Sequence, residues 1–217
     1  SGGGTLNNAN NLILNDPASL LAISDSTKIS HLLVSDSNTN GGLTISSSVS
    51  SSTGNLVENL SLSDSFYVSS DVAWAVDNIT ADATLTFSSD KNVNIESLTL
   101  TGSADLSLGT EDITLSMASA VTVGNTQKLQ NGGGSFNFIG GLSLETGSEL
   151  IGQGKQVSGN IELNGGKITT EQNTVLTDNL TQIADSTLQI DTLKTLTYAG
   201  AVVDIGTSKL NVQGGGS

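Results

Sequence analysis

Apolar residues in this chain come in short alternating sets, and the sets recur. Leu142-Ser143-Leu144 is followed by Gly147-Ser148 and Leu150; Ile161-Glu162-Leu163 is followed by Gly165-Gly166 and Ile168; Leu180 opens a third round with Asp185-Ser186 and Leu188. The leading positions Leu142, Ile161 and Leu180 lie nineteen residues apart. Alternation with period two is the mark of a strand with one buried face. Small residues between two such runs mark a turn, and a fixed interval near twenty residues marks stacked repeats. The unit predicted is strand, corner, strand: one coil of a β-solenoid. Leu85, Phe87, Val93, Ile95, Leu98, Leu100, Leu106, Leu108, Ile113 and Leu115 continue the alternation, and no segment of useful length has the period of a helix. The expected fold is all-β, a right-handed parallel β-helix of about 19–22 residues per coil and roughly 10–11 coils. Coils stacked at about 4.8 Å make a rod of about 50 Å.

The opening of the chain follows the same unit, with Leu12-Ile13-Leu14, then Asp16-Pro17-Ala18, then Leu20-Leu21. Pro17, the single proline, falls in the corner, where its missing N–H costs least. Residues 1–217 read as one continuous solenoid segment. Glycine runs at 2–4, 132–134 and 214–216 suggest pseudo-repeats near 5–130 and 135–217, and each run reads as an internal loop or a wide corner. The serine-rich stretch Ser46–Ser52 reads as a loop thrown out from a corner. The glycine-rich beginning and end give the expectation of a segment cut from a longer chain.

The residue before each leading strand is Asn11, Asn59, Gly141, Asn160 or Asn179. Asn and Gly both adopt the left-handed backbone conformation at low cost. Their exchange predicts a left-handed corner at these five positions, with Asn160 stacked on Asn179 in a side-chain amide ladder.

Units such as Ile161-Glu162-Leu163-Asn164-Gly165-Gly166-Lys167-Ile168 and Leu98-Thr99-Leu100-Thr101-Gly102-Ser103 resemble the coils of autotransporter passenger domains and filamentous-haemagglutinin-like exoproteins. The resemblance covers most of the chain. It implies a parallel β-helix on a bacterial surface, active in adhesion, aggregation or biofilm structure, with no catalytic residue.

Charge narrows the partners. The net charge is −14, and all seven basic residues are lysine. Phosphate recognition needs a basic face, so nucleic acid is not an expected partner; anionic lipid would repel the chain. No stretch is long and apolar enough for insertion into a membrane, and the absence of Cys leaves no disulfide chemistry.

Candidate chemistry is sparse. His31 is the only histidine, which excludes a two-histidine metal site. No nucleophile elbow accompanies it, and β-helix enzymes that cleave polysaccharides rely on Asp clusters with Arg, Lys or His. Catalytic and cofactor-binding residues are therefore expected to be none. Asp25, Asp36 and Asp64 each sit between two serines, which suits a calcium-binding corner but suits a plain Asx turn equally. Tyr67 and Trp74, in the one aromatic-rich stretch, read either as a widened core layer or as an exposed patch for a sugar ring. The leading expectation is a structural or adhesive segment of a long extracellular bacterial surface protein, acting as a stalk or filament module. Its partners would be itself or adjoining β-helix repeats end to end. The alternative is a glycan-binding module built on Tyr67 and Trp74; a polysaccharide-active enzyme comes third.

Overall fold

The computed structural model describes residues 9–14, 20–23, 29–34, 41–45, 57–88 and 91–214. Among them every ladder between strands is parallel, and no helix occurs. The strands stack into two ten-stranded sheets and one five-stranded sheet. Each later coil contributes one strand to each face, so the chain is a three-sided β-solenoid.

A single coil shows the route. Ser135–Phe138 lies on the first face, Leu142–Glu145 on the second and Glu149–Gly152 on the third. Gln156–Ser158 then returns to the first face, one rung on. The predicted strand–corner–strand unit is thus the second and third faces. Leu142 pairs with Ile161 and Ile161 with Leu180, so the nineteen-residue step is the register of the second face. The coil length is not constant. Leu32 pairs with Leu60, a step of twenty-eight residues, and the extra chain, including Ser46–Ser52, lies outside the described residues.

The second face has five strands of its own because the earlier coils build it differently. In them one long strand supplies the first and second faces together. Val93–Leu100 carries inward Val93 and Ile95, two consecutive outward or half-buried residues, Glu96 and Ser97, and then inward Leu98 and Leu100. Two non-inward residues in a row break the alternation and turn the strand through a corner without ending it. Val57–Leu62 bends in the same way at Glu58-Asn59, and Trp74–Ala81 at Asp77-Asn78.

Inward side chains form columns one rung apart. The core is a continuous cluster from Ile29 to Leu188, almost wholly Leu, Ile, Val and Phe. Each such side chain contributes about 1.5–3 kcal/mol when fully buried. Phe136 and Phe138 supply the largest layer, with ring centroids 5.5 Å apart and tilted by 41°.

The run Gly132–Gly134 was expected as a loop or wide corner, and it is a tight corner. Gly132 has φ +49°, and a Cβ there would lie 2.0 Å from the Leu108 carbonyl oxygen of the preceding coil. The Gly133 N–H donates to Gly109 O at 2.7 Å. Glycine is needed because this backbone rests directly on the backbone of the next rung. The run at 2–4, most of that at 214–216, and Pro17 lie outside the described residues.

The left-handed corner is found at one of the five expected positions. Gly141 has φ +95°, whereas Asn11, Asn59, Asn160 and Asn179 all have negative φ. The positions are nevertheless equivalent where the second-face strands stack. Leu142 N–H donates to Asn160 O and Ile161 N–H to Asn179 O, both at 2.8 Å. In the coil of Asn160 the left-handed residue has moved back by one, to Gly159 at φ +107°. Asn11 and Asn59 lie inside strands, where amide hydrogen bonding, not φ, favours them. Asn78 Nδ2 donates to Asn59 Oδ1 at 2.9 Å, and Asn59 Nδ2 donates to Ser30 O at 2.9 Å. This amide ladder runs along the bend between the first two faces, four coils away from the expected pair.

Candidate functional site

Trp74 belongs to the core. It is 5% exposed, and it alternates inward with Val76 on the strand Trp74–Ala81. Its indole Nε1 is buried without a hydrogen-bond partner. A sugar ring cannot reach it, so the patch expected of Tyr67 and Trp74 does not form. Tyr67 points outward from Phe66–Ser70 at 55% exposure. Along the third face it lies between Gly42 and Thr86, with no second aromatic ring beside it in register.

Asp64 is half-buried, and its carboxylate accepts the N–H of the next residue, Ser65, at 2.6 Å. Asp25 and Asp36 lie outside the described residues. Among the described residues no three His, Asp or Glu side chains converge as a metal would require. His31 is exposed on Ile29–Val34, in register between Asn11 and Asn59.

Charged side chains form ladders instead of clefts. On the third face Lys128 pairs in register with Glu149, and Glu149 with Lys167. Glu149 lies 3.7 Å from Lys128 Nζ and 3.1 Å from Lys167 Nζ, and it also accepts the Thr169 hydroxyl. One rung before, the Asp105 carboxylate accepts the Lys128 N–H at 2.8 Å. Charge therefore alternates in sign over Asp105, Lys128, Glu149 and Lys167. In-register stacking puts each side chain directly over its counterpart, so like charges would repel along the whole rung. Burial alone would raise the pKa of Glu149. The hydrogen bonds from Thr169 and Lys167, and the positive charges of Lys167 and Lys128, outweigh it and hold the carboxyl below its ordinary 4.5.

The outward side of the first face carries no charge through its middle coils. Asn94, Ser116, Asn137 and Ser158 stack in register. Ser158 Oγ donates to Asn137 Oδ1 at 3.0 Å, and Asn137 Nδ2 reaches Ser116 Oγ at 3.4 Å. These groups satisfy one another along the rod. The surface hollows are shallow; one of about 470 Å³ lies over Gly132 and Gly133, rimmed by Gln153 and Glu171. That rim is internally paired, Gln153 Nε2 donating to Glu171 Oε2 at 2.7 Å.

The last coil differs from those beneath it. Val202, Val203, Ile205 and Val212 are all more than 40% exposed. The second-face column below Val203 is Leu180, Ile161 and Leu142, and every member of it is buried. The sequence pattern alone did not single out these residues; the signal was their place on the columns of the repeat.

No protein-family model, curated protein or solved structure matches this chain.

Proposed function

We propose that the chain is a rod-like structural segment of an extracellular bacterial surface protein, where it spaces or displays an adhesive surface. The observation that carries this reading is the run of inward columns, which continues from coil to coil, under outward side chains that bond to their own neighbours. The polar groups are used up along the rod, as in the Asn59–Asn78 and Ser116–Asn137–Ser158 ladders. A rod of this kind works by length and stiffness. The reading includes no catalytic step and no cofactor. Right-handed coiling accords with the strong preference of parallel crossovers. The acidic surface keeps neighbouring rods apart and soluble, and the polar faces suit an aqueous exterior.

Immunogold labelling of intact producing cells with antibody against this chain tests the proposal. Gold on unbroken cells, at a distance from the envelope that shrinks when whole coils are deleted, is the expected result. Label only in broken cells overturns it.

A further inference from the structure

The bend between the first and second faces carries like charges in the middle of the rod. Val57 pairs with Val76 and Val76 with Ile95; Asn59 pairs with Asn78 and Asn78 with Ser97. The residues between those pairs, Glu58, Asp77 and Glu96, therefore stand over one another on three successive rungs. This reverses the alternation of the third face, and stacked like charges cost stability. Among the described residues neither Glu58 nor Glu96 forms an ion pair. The same column goes on to Ala118 and Ile139. Met117 pairs with Ile95 and with Phe138, which sets the next residue, Ala118, between Glu96 and Ile139. The coil changes its build at this point: Thr114–Met117 ends before the corner, and Val121–Val123 opens the second face after it. The small side chain of Ala118, between two long ones, leaves a notch of about 260 Å³. Ala75, Val76 and Ile95 line it with apolar surface, and Asp77 and Glu96 give it an acidic rim. Ile139 is 67% exposed there, although described coils continue on both sides of it.

We propose that this notch docks a lysine- or arginine-bearing segment of a partner protein. The aliphatic stem of one such side chain lies against Ala118 and Ile139, and its cationic head sits at Glu96 and Asp77. Three observations select that chemistry. First, Lys and Arg carry a charged head on an apolar stem, and the column offers apolar surface at Ile139 and Ala118 and then carboxylates at Glu96 and Asp77. A cation there also removes the repulsion that the stacked carboxylates otherwise bear, and a break in a local rule is expected where a function is served. Second, the hollow is smaller than the roughly 300–1,000 Å³ of small-molecule sites and is of the size for a side chain. Third, the carboxylates are strung along the rod at about 4.8 Å per rung. Among the described residues no three of them converge as a metal ion requires. A second copy of this chain is disfavoured as the occupant, because it brings a net charge of −14 to an acidic surface. Such a surface adds a partner to the rod wherever the rod is displayed.

Fluorescence anisotropy of a labelled oligolysine peptide, titrated with the full chain, tests this docking. Glu96→Gln is expected to weaken binding about two- to fivefold. Glu111→Gln removes the same charge from an exposed corner elsewhere and is expected to change binding less. Ile139→Ser is expected to weaken it about threefold or more. Ala118→Arg, which fills the notch with a cation of the chain's own, is expected to abolish it. These side chains are exposed or half-buried on the outside of the rod, so the core is left intact. Should one variant lose its β-sheet circular dichroism, the others still decide. Equal losses in Glu96→Gln and Glu111→Gln mean general attraction to an acidic rod and overturn the docking. Binding that ignores Ile139→Ser and Ala118→Arg overturns it too, as does the absence of binding to the native chain. Displacement of the peptide by calcium too dilute to screen charge makes the column a cation site and also overturns it. The rod reading, tested on intact cells, stands in each of these cases.

Discussion

Trp74 is the sole tryptophan of the chain, and its burial makes it a reporter of the core. Its emission is expected to be blue-shifted, protected from aqueous quenchers and unchanged by added glycans. Trp74→Ala should cost about 3–5 kcal/mol in a urea titration. Trp74→Phe should cost much less, because it also removes the unpartnered Nε1–H. The sequence was silent on which way this ring points. Val72-Ala73-Trp74-Ala75-Val76 is apolar at every position, so alternation has nothing to alternate against. The Asn positions were ambiguous for another reason. Asn and Gly exchange where the backbone is left-handed, but Asn is also chosen where stacked amides bond, and the spacing of Asn59 and Asn78 fits both. Gly132 is the opposite case, where backbone sterics decide. Gly132→Ala places a methyl against the Leu108 and Gly109 carbonyls and forces a non-glycine residue into the left-handed region, which should cost more than about 2 kcal/mol in the same titration.

At the scale of the strand, the alternating ladder of Asp105, Lys128, Glu149 and Lys167 sets a pH dependence. The folded chain holds Glu149 ionised at pH values where the unfolded chain protonates it. Its contribution is therefore full above the ordinary 4.5 and is lost as pH falls through the lower folded value. Glu149→Gln should flatten the fall of the melting temperature over that acid window and leave the slope near neutrality unchanged. Lys128→Glu puts three like charges on successive rungs, Asp105, position 128 and Glu149, and should destabilise by about 0.2–1 kcal/mol per like-charged pair, an effect that salt reduces. The second face was legible in the sequence because Leu142–Glu145 and Ile161–Asn164 each carry two inward apolar residues with a polar one between, and the third because Leu150, Ile168 and Leu188 recur behind small-residue turns. The first face of the later coils was not. Gln156–Ser158 has a single inward residue, Val157, and one apolar position has no period. The bends in the long strands hid for a related reason: a corner made by two polar residues inside a strand looks like a lapse in the pattern.

At the scale of the whole molecule, the coil is a repeating unit held in place by its neighbours alone. Leu142, Ile161 and Leu180 occupy one column, and the strands that follow each of them also stack in parallel register. The measurement that tests this most directly is thermal unfolding, followed by circular dichroism, of a chain lacking residues 161–179. That deletion removes one full rung and lets Leu180 stack on Leu142. The expected result is a chain that keeps its β-sheet signal and unfolds in one cooperative step, whereas removal of 161–169 alone, which takes out the second-face strand Ile161–Asn164 and most of Lys167–Thr170 and leaves their rung incomplete, abolishes that step. Loss of folded structure on removing the full rung would contradict the coil as the unit of this rod.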